Sequence, residues 1–155
     1  MSSTIIIELE GFQISPDKFI VKEVAVCTED GLTGNWRFKP PYSFEVLGIK
    51  KQIEYSWVSR NIYGIRWDYG HLPYAELYSN LSYLFNKYSC INIKGYQKRN
   101  FLEFLSGSDC FDIKYSKVGG FSVVCPHHHK KHFQHCALHK AIAYRKALID
   151  SVFKL

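Results

Sequence analysis

The chain has 155 residues, of which 46% are hydrophobic and 16% aromatic, so it is long and apolar enough to bury a core and is not a disordered tail. Its net charge of +6 is compatible with a polyanionic partner, although a mild basic excess is also common in proteins that bind no nucleic acid. No apolar run is long enough to predict a membrane span. The first residues have no basic region, and Glu8 and Glu10 interrupt their apolar run. We therefore expect no signal peptide and an intracellular location, in the cytoplasm, the nucleus or both.

Three antiparallel strands are predicted at the start of the chain. Branched and apolar residues indicate strands at 4–12 and 19–28, separated by the turn sequence ISPD. The sequence EDGLTG predicts a hairpin turn into a short third strand at 35–38. Pro40 and Pro41 follow that strand, and neither can donate a hydrogen bond to a ladder.

Helical and extended patterns alternate over the rest of the chain. Apolar spacing predicts helices at 43–61, 73–87, 97–105 and 136–153, strands at 90–94 and 111–115, and loops at 62–72 and 117–124. The order β-β-β-α-α-β-α-β-α, without an internal repeat, predicts one α/β domain over residues 1–155 with the RNase H-like layout. We expect a five-stranded mixed sheet in the order 3-2-1-4-5, with the first strand central and helices flanking it.

The segment CPHHHKKHFQHCAL concentrates the residue types that bind metals. Cys125, His128 and Cys136 stand at Cys-x2-His-x7-Cys spacing, and without an export signal this pattern favours zinc over a disulfide. The chain has five cysteines, an odd number that also argues against a disulfide framework. A structural zinc site is tetrahedral, so a fourth ligand must come from elsewhere in the chain.

The histidine ligand of this segment remains open. Histidines also stand at positions 127, 129, 132 and 135. His129 and His132 are alternatives to His128, whose spacing from Cys125 is the tightest natural one. A solvated His-rich loop beside two unrelated cysteines is the alternative to any metal site.

Three stretches of the sequence resemble a DEDDh-type exonuclease. Glu8-Leu9-Glu10 matches the Asp-x-Glu of that family's first strand. INIKGYQKRNFLEFL matches the stretch after its fourth strand, where Lys98 replaces an Asp, and HCALHKA matches its last helix, where Lys140 replaces another. The resemblance implies that two metal-binding carboxylates have become lysines, which repel Mg²⁺, so we do not expect two-metal exonuclease activity. Two ordinary surface lysines are the alternative.

The zinc segment resembles the Maelstrom domain, a degenerate DEDDh-like RNase H fold from germline transposon silencing. The match is carried by Cys125, His128, Cys136 and the following Ala137-Leu138. The resemblance implies a Glu-Cys-His-Cys zinc set in which Glu23 is the fourth ligand, although a solvent-facing Glu23 is the alternative. Four protein ligands leave no position for a substrate water, so we expect one structural zinc per chain that staples the domain. The HMG box that Maelstrom proteins carry before this domain is missing here, which implies a stand-alone module.

Single-stranded RNA is the expected partner, bound without two-metal catalysis, in a setting such as transposon or small-RNA silencing. The candidate contacts are basic and aromatic residues that would hold phosphates and stack on bases: Lys94, Tyr96, Lys98, Arg99, Lys130, Lys131 and Lys140, with Lys114 and Lys117 near the predicted loop.

Two other functions remain open. A weak, metal-independent endoribonuclease would use titrating histidines, for which His132, His135 and His139 are the candidates. A pseudo-nuclease scaffold would instead bind a protein through Trp36, Trp57, Trp67 and the aromatic segment 63–74. The sequence does not indicate an oligomeric state.

Overall fold

The computed structural model describes residues 4–16, 18–113 and 137–153. One mixed sheet has the order β3-β2-β1-β4-β5. Its strands are β1 Thr4–Ser15, β2 Lys18–Thr28, β3 Thr33–Arg37, β4 Cys90–Ile93 and β5 Phe111–Asp112. The first three strands are antiparallel, and β4 runs parallel to both β1 and β5. The predicted strand order and the central position of the first strand are confirmed.

Within the described residues four α-helices flank the sheet, in the predicted order along the chain. They are α1 Ile49–Val58, α2 Leu77–Lys87, α3 Tyr96–Ser106 and α4 Ala137–Phe153. Single turns of 3₁₀-helix at Phe44–Val46 and Tyr74–Glu76 precede α1 and α2, and a π-helical turn at Ser59–Tyr63 follows α1. None of these helices, over the part of the chain that is described, is long and apolar enough to cross a membrane.

Several element boundaries differ from the sequence prediction, and around α1 the reasons are local. The predicted helix at 43–61 is divided, because Gly48 has an extended backbone at the start of α1. The π-helical turn that continues α1 ends at Gly64, whose φ of 69° is left-handed and suits glycine. The fifth strand ends at Asp112, and the predicted loop at 117–124 lies outside the described residues.

One side of the sheet is continuously apolar, and we call it the apolar face. Ile5, Ile7 and Leu9 of β1 point to it and are almost fully buried. They pack with Leu81 of α2 and Leu102 of α3, which have no exposed surface. Burial of this kind stabilises a fold by roughly 25 cal/mol per Å² of apolar surface, so the apolar face carries the main core.

The opposite side, which we call the divided face, has two separate apolar clusters. Ile6 packs with Ala141 of α4 in the first, and Phe12 packs with Tyr55 and Trp67 in the second. Side chains alternate along a strand, so Glu8 and Glu10 point to the same side as Ile6 and Phe12. The two carboxylates therefore occupy the gap between the two clusters.

A β-bulge in β2 lies next to this gap. Glu10 is opposite Glu23, but Gly11 is opposite Val21, so Lys22 is an extra residue. A side chain at Gly11 would lie 1.9 Å from the carbonyl oxygen of Ile20, which explains the glycine. The bulge therefore interrupts the alternation of β2 and leaves two charged residues, Lys22 and Glu23, adjacent and buried.

Candidate functional site: a charge-compensated glutamate cluster

Three buried glutamates define the most unusual part of the described structure. Glu8 and Glu10 lie two residues apart on β1, and Glu23 lies opposite Glu10 on β2. Their exposed fractions are 1%, 3% and 0%. A carboxylate removed from water is costly unless an opposite charge and hydrogen bonds compensate it, so each of these groups needs a partner.

Each glutamate faces a cation from a different element. The Lys98 Nζ lies 2.6 Å from Glu8 Oε1 and 3.8 Å from Glu10 Oε1. The Lys140 Nζ lies 2.5 Å from Glu10 Oε1. We call the set Glu8, Glu10, Glu23, Arg37, Lys98 and Lys140 the compensated cluster.

The third pair of the cluster is Glu23 with Arg37 of β3. Arg37 Nη1 lies 3.5 Å from Glu23 Oε2, and the two residues are direct partners in the β2–β3 ladder. Arg37 also donates a hydrogen bond to Asn35. Three carboxylates thus face three cations, and the cluster is neutral when all six groups are ionised.

Two helices carry the lysines to the carboxylates. Gly95, with φ at 109°, turns the chain from β4 into α3, which places Lys98 in the first turn of that helix. In α4, Ala137, Ala141 and Tyr144 recur at helical spacing and are buried against the sheet. The small alanines let α4 approach the sheet closely, so Lys140 on the same helix reaches Glu10.

Burial changes the pKa values of Glu8 and of its neighbour Tyr144. Burial raises the pKa of Glu8, and the nearby Lys98 opposes that rise. Glu8 also accepts a hydrogen bond from the backbone N–H of Leu9, at 3.0 Å. Tyr144 hydrogen-bonds to the Glu8 side chain, and burial raises the pKa of that phenol as well. Tyr144 therefore stays neutral and closes the cluster on the α4 side.

Glu23 is the one predicted zinc ligand in the described part of the chain; Cys125, His128 and Cys136 lie outside it, as do the alternatives His129 and His132. The Glu23 carboxylate is not solvent-facing, since it is fully buried. Its Oε1 lies 3.4 Å from the backbone nitrogen of Ala137, the first residue of α4. The Glu23 carboxylate therefore accepts a hydrogen bond from the start of α4. Arg37 also gives Glu23 a charge partner of its own.

Within residues 4–16, 18–113 and 137–153, no group of three histidine, cysteine, aspartate or glutamate residues is arranged to hold a metal ion. In the compensated cluster, Lys98 and Lys140 place ammonium groups 2.6 and 2.5 Å from the carboxylate oxygens of Glu8 and Glu10. Ammonium groups at hydrogen-bond distance neutralise the carboxylates and repel a second cation.

The predicted RNA contacts divide into three groups. Tyr96 and Arg99 lie together in the first turn of α3, with Arg99 Cζ 5.6 Å from the Tyr96 ring centroid, and Lys94, just before that helix, has its Nζ 5.3 Å from the Tyr144 ring centroid of α4. Lys98 and Lys140 contact the buried glutamates and so are not ordinary surface lysines. Lys130 and Lys131 fall outside the described residues, together with Lys114 and Lys117.

The other candidate residues are spread over the molecule. Trp67 belongs to the core and stacks on Tyr55, and Trp36 is half-buried, so of the three tryptophans Trp57 is the most exposed. His139 lies on α4, but His132 and His135 are outside the described residues, so no histidine pair is defined.

Sequence reasoning missed Arg37, which is a member of the compensated cluster, and Tyr144, which hydrogen-bonds to Glu8. The signal for Arg37 was the hairpin register, which places it opposite Glu23. The signal for Tyr144 was its spacing of one helical turn from Lys140.

Comparisons with protein-family models, with curated proteins and with solved structures return no match to this chain.

Proposed function

We propose that this protein is an RNase H-like, DEDDh-related module of the Maelstrom type that binds single-stranded RNA and has lost two-metal nuclease chemistry. The observation that carries the proposal is the pairing of Glu8 and Glu10 with Lys98 and Lys140. A two-metal nuclease needs carboxylates whose negative charge is available to divalent ions. Here ammonium groups neutralise that charge.

The convergence of distant residues supports the family relationship. Short sequence motifs alone aligned residues 8, 10, 98 and 140 with the metal-binding carboxylates of the DEDDh exonucleases. The side chains at these positions lie within 4 Å of one another in pairs. An accidental alignment has no physical reason to select residues that meet around one pair of carboxylates.

The pairing of Glu8 and Glu10 with lysines also removes an electrostatic obstacle to RNA binding. Uncompensated glutamates would repel a phosphate backbone, whereas a neutral cluster does not. Lys98 and Lys140 act in this proposal as internal counter-ions. The half-buried Lys94 and Arg99, beside the exposed Tyr96, supply the contacts to phosphate and base, and Lys130 and Lys131 add to them.

Binding of a labelled RNA of about 12 nucleotides, followed by fluorescence anisotropy at several salt concentrations, tests this function. Binding should weaken steeply with salt. Lys94→Ala/Arg99→Ala should weaken it and lower the salt dependence by about two phosphate contacts. Lys50→Ala/Arg60→Ala, which removes two exposed cations near α1, is the matched control. A wild-type protein that binds no RNA at low salt contradicts the proposal.

The loss of nuclease chemistry has its own test. Lys98→Asp/Lys140→Asp would return four carboxylates to the site, and we expect that variant to bind Mn²⁺ in calorimetry while the wild type does not. Lys98→Met/Lys140→Met removes the same cations without adding carboxylates and serves as the control. Equal Mn²⁺ binding by the wild type would contradict the role given to the lysines.

The proposal includes one structural zinc, held by Glu23, Cys125, His128 and Cys136. Zinc would tie β2 to the start of α4, where the buried Glu23 carboxylate already lies. Elemental analysis should find one zinc per chain, retained less well by Glu23→Ala than by the control Arg37→Ala. A protein purified without chelators and free of zinc would contradict this part.

Protein binding is the second candidate function, favoured by one observation. Val46, Ile49, Ile53 and Trp57 recur at helical spacing along and just before α1, and each is more than half exposed. Such a stripe suits an apolar partner surface. Failure to bind RNA, together with capture of a defined protein that Ile53→Glu abolishes, would favour this scaffold function over the first.

A further inference from the structure

A cleft of about 610 Å³ lies between α3 and the β1–β2 turn. Phe19 of β2 and Phe101 of α3 meet edge to face in it, with ring centroids 5.7 Å apart. Gln13 Nε2 donates hydrogen bonds to the carbonyls of Ser15 and Lys18, which holds the turn that forms one wall. The cleft therefore has an apolar floor and a braced side, and its size is typical of small-ligand sites.

The other wall is an exposed face of α3 with an unusual composition. Tyr96 and Phe104 are 67% and 87% exposed. Gln97 and Asn100 lie between them along the helix, are exposed and also line the cleft. Two aromatic rings with two amide side chains between them match the two recognition elements of a nucleobase, its π-face and its hydrogen-bonding edge.

We infer that this cleft binds unpaired nucleobases of the RNA, with Tyr96 and Phe104 as stacking surfaces and Gln97 and Asn100 as hydrogen-bonding groups. The inference rests on the proposed RNA-binding function and adds a site for bases to one for phosphates. Lys94 and Arg99, the proposed phosphate contacts, lie on the same end of α3 as Tyr96.

Helix geometry favours a single strand over a duplex in this site. Tyr96 and Phe104 are eight positions apart, which separates them by about 12 Å along α3. Stacked bases advance only about 3.4 Å, so two bases that use both rings must be splayed apart. A duplex hides its base faces, whereas an unpaired strand presents them to aromatic side chains.

An abasic oligonucleotide separates base recognition from phosphate recognition. Anisotropy would compare an RNA of about 12 nucleotides with the same strand carrying abasic residues at its centre. Wild-type protein should bind the intact strand about tenfold or more tightly than the abasic one. Tyr96→Ala/Phe104→Ala should bind both strands equally, at the wild-type affinity for the abasic strand. Tyr78→Ala, which removes an exposed tyrosine on α2, is the matched control and should leave the difference intact.

The outcomes distinguish failure of the cleft from failure of RNA binding. If wild-type protein binds neither strand at low salt, both the function and the cleft assignment are wrong. If it binds both strands equally, or if Tyr96→Ala/Phe104→Ala keeps the wild-type preference, the cleft assignment alone is overturned. Asn100→Ala is a second variant, expected to change base preference among homopolymers with less loss of affinity. Because Tyr96, Phe104 and Asn100 are exposed, the variants should melt like the wild type.

Discussion

The two faces of the central sheet use the same strands in different ways. On the apolar face, Ile5, Ile7 and Leu9 build one uninterrupted core with α2 and α3. On the divided face, Glu8 and Glu10 separate an apolar cluster under α4 from another around Trp67. Hydrophobic burial alone accounts for the first face. The second contains six charged groups whose replacement by apolar residues would serve stability equally well. The proposed descent from a metal-binding nuclease would account for that difference.

The largest effect is expected on the apolar face. Leu9→Ala should lower the free energy of unfolding by about 3 kcal/mol, because Leu9 is completely buried and a cavity would remain. Urea denaturation at neutral pH measures it. A loss below about 1 kcal/mol would mean that the apolar face does not carry the main core.

Breaking one ion pair on the divided face should cost somewhat less. Lys140→Met leaves Glu10 with the more distant Lys98, and we expect a loss of about 2 kcal/mol, reduced from the fully buried case because Lys140 is partly exposed. Glu10→Met/Lys140→Met removes both charges and should return to within about 1 kcal/mol of the wild type. A double variant less stable than the single one would show that the pair itself stabilises the fold.

Lys22 is a buried lysine that differs from Lys98 and Lys140, because carbonyl groups rather than a carboxylate accept its hydrogen bonds. Its Nζ donates to the carbonyls of Phe38 and Tyr69, at 2.6 and 2.5 Å, and burial lowers the pKa of Lys22 to about 8. The unfolded chain therefore binds this proton more tightly than the native protein above pH 8. Stability should rise by about 2 kcal/mol from about pH 7.5 to about pH 9.5. Lys22→Met should lose that rise in urea denaturation; a variant that keeps it assigns the rise to another group.

The smallest effect concerns Glu8, where burial and Lys98 oppose each other. The pKa of Glu8 is raised above its ordinary value of 4.5, so the native state holds this proton more tightly than the unfolded chain. The stability from this group is present below pH 4.5 and is lost as the pH rises through the native pKa. Relative to Glu8→Gln, wild-type protein should therefore be more stable in acid than at neutral pH. An opposite trend in urea denaturation would mean that attraction to Lys98 dominates burial.

Much of the fold could be predicted because local patterns determine it. β-branched runs defined the strands, helical spacing defined the helices, and the order of elements limited the sheet to few topologies. Boundaries were less accurate where a single glycine decides them. Gly48 divides what apolar spacing alone predicted as one helix, and Gly64 ends the π-helical turn that extends it.

The candidate site could be predicted only in part. The resemblance to the exonuclease motifs is what grouped Glu8, Glu10, Lys98 and Lys140 as one site. Arg37 could not be found in this way, since its contact with Glu23 depends on the exact register of the β2–β3 ladder, which strand prediction alone does not fix. The cleft that we propose binds bases was missed for a similar reason, since it joins a turn near Pro16 to α3, two segments distant in sequence.

The bulge at Lys22 determines which single-codon deletions the β1–β2 hairpin can accept without a change in its pairing. Without Lys22, Glu10 would still lie opposite Glu23 and Gly11 opposite Val21, now in consecutive steps. Loss of that single codon would therefore leave the other side chains of β2 on their present faces. Loss of the codon for Glu23 or Val21 would also remove the bulge, but it would place Lys22 opposite Glu10 or Gly11 instead of the missing residue. Of these three positions, Lys22 is the one whose deletion leaves every other pair of the hairpin unchanged.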